Sequence, residues 1–461
     1  MLINLLVAEI GSTTTVINAF NNFDSCPEFV GQGQAPTTVN EADVNIGLRN
    51  AIEDLKQNLN VDTIEYDELI STSSAAGGLK MTVHGLVYDM TVRAAKEAAL
   101  GAGANIKMIT SGKLRKSDIR KIVDIKPNII LIAGGVDYGE RETALHNSEM
   151  IAEAKIKAPV IYAGNIENRE DVKDIFEDKG IELYIVDNVY PRIDELNIEP
   201  TRKIIQNVFE KHIIHAPGME KIREMVTGNI MPTPGAVMEA SKLLYDDIGD
   251  LITVDVGGAT TDIHSVTVES EEISRILLSP EPKAKRTVEG DLGVYVNMHN
   301  IVDLIGREEL SKELDISLEM LDNLINNHKP IPESNEEKAF VEALTLHATL
   351  TAVKRHCGHI KQIYGPGGKK TIAEGKDLTK TQYIVGTGGA LTRLPKRVEI
   401  LKQISRNSNN TELLPNKEAK ILIDNDYIMA SLGVMSKKYP DIALKLLKNS
   451  LGFKEDSHDI S

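Results

Sequence analysis

One pattern occurs twice in this chain: an apolar run, an acidic residue, a glycine turn and a run of hydroxyl residues. Glu9-Ile10-Gly11-Ser12-Thr13-Thr14-Thr15 returns as Asp255-Val256-Gly257-Gly258-Ala259-Thr260-Thr261, at an offset of 255 − 9 = 246 residues. Each copy closes an apolar stretch, Leu2 to Ala8 in the first and Leu251 to Val254 in the second. Such a stretch reads as a buried strand, and the glycine as the tight turn that returns it as a hairpin. Backbone N–H groups at that turn, with a carboxylate beside them, suit a phosphate and its magnesium ion. A single copy is only a hairpin signal; the matched pair points to two related halves facing a shared nucleotide.

A third element lies further along. The short apolar run Tyr383 to Val385 leads into Gly386-Thr387-Gly388-Gly389-Ala390-Leu391-Thr392-Arg393-Leu394-Pro395. Glycines where a strand opens a helix let the backbone approach a ligand closely and point free N–H groups at it.

These three stretches, in this order, resemble the first phosphate, second phosphate and adenosine motifs of the actin/Hsp70/sugar-kinase ATPase superfamily. The whole chain more narrowly resembles the GlmL (MutL-like) family of accessory proteins for adenosylcobalamin-dependent mutases. Ser71 to Val83, Leu131 to Gly139 and Thr287 to Gly293 look like that family's as well. The label is shared with a DNA mismatch-repair ATPase, whose DxGxG-type signature is not found in this sequence.

The resemblance implies an α/β fold of duplicated actin-like ATPase (ribonuclease H-like) domains with a nested α/β subdomain, and ATP with Mg²⁺ as cofactors. Carried onto this sequence, Gly11, Ser12, Thr13 and Thr14 would hold the β- and γ-phosphates from one side. Asp255, Gly257, Gly258, Ala259, Thr260 and Thr261 would hold them from the other. Asp255 would bind Mg²⁺ through water or orient the attacking water as a general base. Gly386, Gly388 and Gly389 would pack near adenosine, with Arg393 stacking beside it or bracing the helix. Closure of two lobes over the nucleotide would then be the conformational engine. The chain departs from the superfamily at its first acid, which is Glu9 where Asp is usual; the extra methylene alters how that carboxylate meets the magnesium shell. Glu289 and Asp291, in a glycine-bounded turn, are candidates for a further metal or water contact.

Composition narrows the partners. Lys and Arg number 52 against 68 Asp and Glu, a formal charge of −16. That argues against a nucleic acid, whose phosphates are met by clustered cations. Only Cys26 and Cys357 are present, so there is no disulfide framework or CxxC cluster, as fits a reducing cytoplasm. The start of the chain, with its early Glu9, reads as a strand rather than a signal peptide, and no apolar run approaches membrane-span length.

Along the chain, three strands (3–8, 14–20, 28–32), a helix over 39–58 and two further strands (64–72, 79–87) compose a first actin-like subdomain, 1–103. Regular strand–helix alternation from 106 onward predicts a parallel sheet, placed at 104–195. The remainder, 196–461, is expected to be the second actin-like domain with a helical insertion. It should be mainly helical up to the second hairpin and again from about 294 to 364, with an acidic surface connection at 331–338. Gly134, Gly135 and Gly139, after a central strand, form a strand-to-helix turn, an anion cradle or a partner-facing loop. Asp262-Ile263-His264 begins like a cobalamin-binding DxHxxG motif but has Thr267 at the glycine position. His356-Cys357-Gly358-His359 has donor atoms but suits a helix end, and Gly365 to Thr371 lacks P-loop spacing.

The function implied by the resemblance is an ATP-dependent reactivating chaperone that releases damaged cobalamin from an adenosylcobalamin-dependent mutase or aminomutase. The alternatives are a small-molecule kinase of the same superfamily and a nucleotide-binding scaffold without turnover.

Overall fold

The apolar run that opens the chain becomes strand β1 (Leu2–Ile10), and the glycine turn returns it antiparallel as β2 (Thr14–Asn21), which pairs with β3 (Glu28–Pro36). This computed structural model describes residues 1–461 apart from 12–13, 39–40, 75–77, 216–217, 366–367, 407–410 and 454–461. Strand β4 (Glu65–Ser73) adds to the other side of β1 in parallel. The intervening helix, Val44–Leu59, is capped by the Asp43 carboxylate on the Asn45 amide and stopped by Asn60 in the left-handed region, φ 54. It lies so close to β3 that a Cβ on Gly33 would collide with the Ala51 carbonyl, which explains the glycine in the middle of a strand.

Strands β5 (Lys80–Gly85), β6 (Asn105–Ser111), β7 (Ile129–Ile132), β8 (Val160–Tyr162) and β9 (Leu183–Ile185) form an all-parallel sheet in the order β6-β5-β7-β8-β9. The expectation grouped residues 79–87 with the first sheet. The structure instead puts β5 at an interior position of the parallel sheet, where a strand buried on both faces belongs. Alternation sorts β7: Ile129 and Leu131 enter the core shared with the first sheet, while Ile130 and Ile132 join Tyr162, Val172 and Phe176 on the opposite face. Strand β10 (Ile230–Pro232), in a stretch expected to be helical, returns to the first sheet beside β4 and completes the order β10-β4-β1-β2-β3.

The second half repeats that plan. Strands β11 (Leu251–Val256), β12 (Thr261–Val266) and β13 (Ala284–Glu289) form an antiparallel meander. Helix Asn335–His356 follows, opened by a capping box between Ser334 and Glu337 and burying Phe340, Leu344, Ala348 and Ala352. A hairpin, β14 (His359–Gly365) and β15 (Gly368–Glu374), stands where the helical stretch was expected to run on to 364. The helix stops at His356, where Cys357 turns extended, φ −70 and ψ 157, and Gly358 then sits against the backbone of Gly375 with no room for a side chain. Strand β16 (Tyr383–Thr387) pairs parallel to β11, and β17 (Lys420–Ile423) parallel to β16, giving β13-β12-β11-β16-β17. Both sheets thus read 3-2-1-4-5 with the first three strands antiparallel and the last two parallel, the ribonuclease H-like arrangement, twice in one chain.

The chain divides into two units, Met1–Ala240 with Ala430–Ala443, and Ser241–Met429 with Leu444–Ser461. Among the described residues, no helix is long and apolar enough to cross a membrane.

Candidate functional site

Both hairpins close with the same bond. The Gly11 amide donates to the Thr14 carbonyl at 2.9 Å, and the Gly257 amide to the Thr260 carbonyl at 2.9 Å. Ser12 and Thr13 lie outside the described residues; Thr14 opens β2 and is exposed. In the second unit the carbonyls of the turn are drawn back by the segment that follows β13. Val294 donates to the Gly257 carbonyl at 3.2 Å, and Tyr295 and Val296 to that of Gly258 at 2.9 and 2.7 Å. Asn297 Nδ2 donates to the Ala259 carbonyl at 2.8 Å. The amides of Gly258, Ala259 and Thr260 meet no protein acceptor among the described residues, so the tip of this hairpin offers donors. Thr260 Oγ1 donates to Asp262 at 3.0 Å, and Thr261 Oγ1 to the Leu292 carbonyl at 2.7 Å. Asp262 is itself buried against Arg286, with Oδ1 at 2.6 Å from Nη2. A buried pair of this kind fixes geometry more than it stabilises, while removing one partner costs about 3–5 kcal/mol.

The acids are held differently. Glu9 Oε1 accepts from the Ser431 amide at 3.1 Å, from Ser431 Oγ at 2.6 Å and from Asn18 Nδ2 at 3.4 Å. Ser431 stands in the first turn of helix Met429–Met435, so that carboxylate anchors a helix. Asp255 ends β11 beside Gly388, whose φ is 84 and where a Cβ would run into Asp255 Oδ1 and the Val256 backbone. Gly388 is therefore required by the acid it faces. Glu289 and Asp291 share Arg355, whose Nη1 lies 2.6 Å from Glu289 Oε2 and 2.9 Å from Asp291 Oδ1. Arg355 holds the Asp291 carboxyl below the usual carboxylate range. The turn they anchor braces the hairpin, since Gly293 packs against the Ala259 backbone with no space for a Cβ.

Next to Gly258 the second unit has a cavity of about 240 Å³, reached by Gly389, Ala390 and Arg393 from the glycine motif. Val256, Val294, Tyr295, Ile331 and Pro332 make its walls largely apolar, with Lys338 and Arg393 as its cations. His328 Nε2 donates to the Val294 carbonyl at 2.8 Å, and its ring meets Tyr295 at 5.6 Å and Phe340 at 5.4 Å between centroids. An apolar slot with a few polar groups is the usual form of a small-ligand site. Gly389 keeps open space where a side chain would be, whereas Gly386 lies within β16 and makes room for Leu401. Arg393 also stands 5.9 Å from the centre of the Tyr427 ring.

Sequence reading did not find Tyr295, His328, Pro332 or Lys338. The 331–338 stretch, expected to be a surface connection, supplies Ile331, Pro332 and Lys338 to the cavity; Pro330 and Pro332 bracketing Ile331 were the available signal. Asp424, legible in the sequence only as the end of a strand, has a larger part. Fully buried, it accepts from Thr387 Oγ1 at 2.9 Å, Ser450 Oγ at 2.7 Å and the Met429 amide at 3.0 Å, tying the start of the glycine motif to the C-terminal helix Pro440–Ser450. Burial raises its pKa against those bonds. His264 is buried, which holds its pKa well below the ordinary value. His356 bonds Ser265 Oγ at 2.8 Å and Thr287 Oγ1 at 2.9 Å, and burial pushes the Cys357 thiol up to about 12.

The repeated 3-2-1-4-5 sheets and the donor-tipped hairpin beside a slot define a protein of the duplicated, actin-like ATPase fold. The sequence matches the MutL protein family over residues 5–451. It is 37% identical over 458 residues to Protein MutL of Clostridium tetanomorphum, covering 97% of this chain and 98% of that one. The chain belongs to the MutL family, of the GlmL type. Among solved structures, nucleotide-free acetone carboxylase is similar over 94% of this chain and 70% of its own, at 13% identity and a TM-score of 0.42. Glycerol dehydratase reactivase is similar over 94% of this chain and 99% of its own, at 11% identity and a TM-score of 0.27. Likenesses this remote carry nothing about activity.

Proposed function

We propose that this chain binds Mg-ATP and acts as a cytoplasmic, ATP-dependent reactivating chaperone of the glutamate-mutase accessory type. Its work would be to release damaged cobalamin from an adenosylcobalamin-dependent mutase or aminomutase. The observation that carries the nucleotide reading is the row of free amides at Gly258, Ala259 and Thr260, adjoining a slot that also reaches Gly389 and Arg393. Gly257, Gly258, Ala259, Thr260 and Thr261 are assigned to phosphate, and Gly386, Gly388, Gly389 and Arg393 to the nucleoside end. Gly11, Ser12, Thr13 and Thr14 are assigned to phosphate on the family resemblance, Ser12 and Thr13 lying outside the described residues. ATP supplies the phosphoryl group whose hydrolysis or binding powers the cycle. Asp255 is the carboxylate for magnesium or for orienting water; Glu9, the other acid expected at the metal, has one oxygen engaged by Ser431 and Asn18 and is read as an anchor. Glu289 and Asp291 support the hairpin through the turn that Arg355 holds.

Family membership favours the chaperone over a kinase. A scaffold that binds without turnover is the second reading, favoured by the engagement of Glu9 Oε1 with Ser431. The test is ADP and phosphate release by the purified chain, with and without a cobalamin mutase inactivated by cyanocobalamin. Release stimulated by that partner, with recovery of its activity, is expected. Release indifferent to it, with transfer to a small acceptor, would overturn the chaperone in favour of the kinase; binding with no release favours the scaffold.

A further inference from the structure

The nucleotide reading leaves the parallel sheet of the first unit without a task. Counted from its own first strand, β5, the order of that sheet is 2-1-3-4-5. The chain leaves β5 toward β6, then passes back across to β7 and continues the other way. In open parallel sheets, ligands bind in the crevice beyond the carboxyl ends of the two strands where the order reverses. Here that place lies just past Gly85 and Ile132.

Beyond β7 the chain runs Ala133-Gly134-Gly135-Val136-Asp137-Tyr138-Gly139. Gly135 has φ 65, and a Cβ there would collide with the Glu140 carbonyl. The amides of Gly134, Gly135 and Val136 find no acceptor among the described residues, although both glycines are buried. Buried backbone donors are nearly always paired, so the two buried glycine amides, followed by that of the half-buried Val136, ask for a partner from outside. Successive N–H groups around a left-handed residue form a concavity suited to an anion.

The Gly134, Gly135 and Val136 carbonyls and the Asp137 carboxylate of this loop are already engaged. Asn188 Nδ2 donates to the Gly135 carbonyl at 3.1 Å and to Asp137 Oδ1 at 3.0 Å, and that carboxylate also accepts from the Ile166 amide at 3.0 Å. Asn165 Oδ1 accepts from the Tyr138 amide at 3.1 Å. The loop is thus fixed before any ligand arrives, which lowers the cost of binding.

Cations stand at the same end of the sheet. The turn after β6 carries Lys113, Arg115 and Lys116, all exposed and in no ion pair among the described residues. The Gly112 amide fixes this turn to the end of β5 through the Gly85 carbonyl at 2.8 Å. Asn147, on helix Glu142–Glu153, holds the Leu114 amide at 2.8 Å and the Gly112 carbonyl at 3.1 Å. Tyr88, after β5, and Tyr138, after β7, are 57% and 78% exposed and leave two aromatic faces unused at this end.

We propose that the parallel subdomain holds a second ligand site, at the β5–β7 reversal, for a phosphate monoester carried on a planar ring. The amides of Gly134, Gly135 and Val136 take phosphate oxygens, Lys113 and Arg115 balance its charge, and Tyr88 and Tyr138 offer faces to the ring. The site is independent of the nucleotide slot and of the function proposed for it.

FMN is a suitable probe, because its fluorescence is quenched on stacking and riboflavin is the same ring without the phosphate. Titrated into the full chain, FMN is expected to show saturable quenching, with riboflavin binding about tenfold or more weaker. The paired substitution Lys113→Ala/Arg115→Ala should weaken FMN by about tenfold while leaving Tm unchanged, since both side chains are exposed. Gly389→Val, which fills the slot in the second unit, should leave the FMN titration as it is. The proposal is overturned by an absence of saturable quenching at millimolar FMN, by equal affinity for riboflavin, or by indifference to the paired substitution. Loss of FMN binding in Gly389→Val would equally overturn it, by moving the probe to the other unit.

Discussion

In both hairpins a glycine amide bonds across the turn at 2.9 Å, to Thr14 in the first unit and to Thr260 in the second. Beyond that shared bond the two diverge. Glu9 spends one carboxylate oxygen on the Ser431 amide and hydroxyl and on Asn18, so the acid of the first hairpin is an anchor for a helix. Asp255 rests against Gly388, at a position where only glycine fits, and its strand leads directly to the slot. The two turns share a backbone bond, while their acids stand in different surroundings. The longer Glu side chain suits reaching a helix, and the shorter Asp suits staying beside the turn.

The most severe way to break this comparison is Asp255→Ala. Mg-dependent ATP turnover is expected to fall on the order of 100-fold or more, with Tm little changed. Gly388→Ala should lower turnover as well, because its Cβ displaces the Asp255 carboxylate, but with a fall in Tm, since that Cβ also meets the Val256 backbone at a positive φ. If the chain with Asp255→Ala still reactivated a partner in an ATP-dependent manner, the site would be misassigned.

Acid distinguishes the units next. His84, in β5, bonds Thr110 Oγ1 at 2.8 Å and Thr82 Oγ1 at 3.0 Å, and burial lowers its pKa to about 4. His264 and His356, both in the second unit, are lowered well below the ordinary value, also by burial. A folded pKa below the unfolded one means that the unfolded chain binds more protons in between, so stability is lost as pH falls below about 6.5. For His84 the loss by pH 4 amounts to about 3 kcal/mol. With two such histidines against one, the second unit should loosen first. Hydrogen exchange by peptide at pH 7.5 and 5 checks this; earlier loss of protection in β5 than in β12 would reverse the comparison.

Glu9→Ala should cost stability rather than turnover. Three part-buried donors lose their acceptor, worth about 1–3 kcal/mol, and Ser431→Ala in the same background should add little, since the pair acts as a unit. A double-mutant cycle on Tm tests that. Should Glu9→Ala instead abolish turnover with Tm intact, Glu9 would be an acid of the same kind as Asp255.

These contrasts show what the sequence could and could not display. Strands ending at Ile10 and Val256 were legible because a long apolar run and a glycine mark themselves. The parallel sheet was legible from the strand–helix rhythm between residues 106 and 186. The short strands β10 and β13 were not, although each completes a sheet: Ile230–Pro232 has three residues and a proline, and Ala284–Glu289 is half charged. Their strand character comes from the neighbour they pair with, Ser71–Ser73 and Thr261–Val266, which no local pattern reveals. The glycine motif announced one wall of the slot, while Tyr295, His328 and Lys338 come from separate segments that only the fold assembles.

The smallest expected effect concerns Arg355. Its guanidinium bonds Glu289 at 2.6 Å and Asp291 at 2.9 Å, yet its side chain is 41% exposed, so the pairs are screened and stabilise by less than about 1 kcal/mol. Arg355→Ala is therefore expected to leave Tm nearly unchanged and to alter turnover by less than about threefold, because Asn297 still holds the Ala259 and Gly290 carbonyls at 2.8 Å. The second hairpin would then owe its geometry to backbone and to Asn297, unlike the first, whose acid is held by the Ser431 amide and by the side chains of Ser431 and Asn18. A tenfold or larger loss, rescued by Arg355→Lys, would instead make the Glu289–Arg355–Asp291 cluster part of the site, and the two hairpins would differ by an added charge network as well as by one methylene.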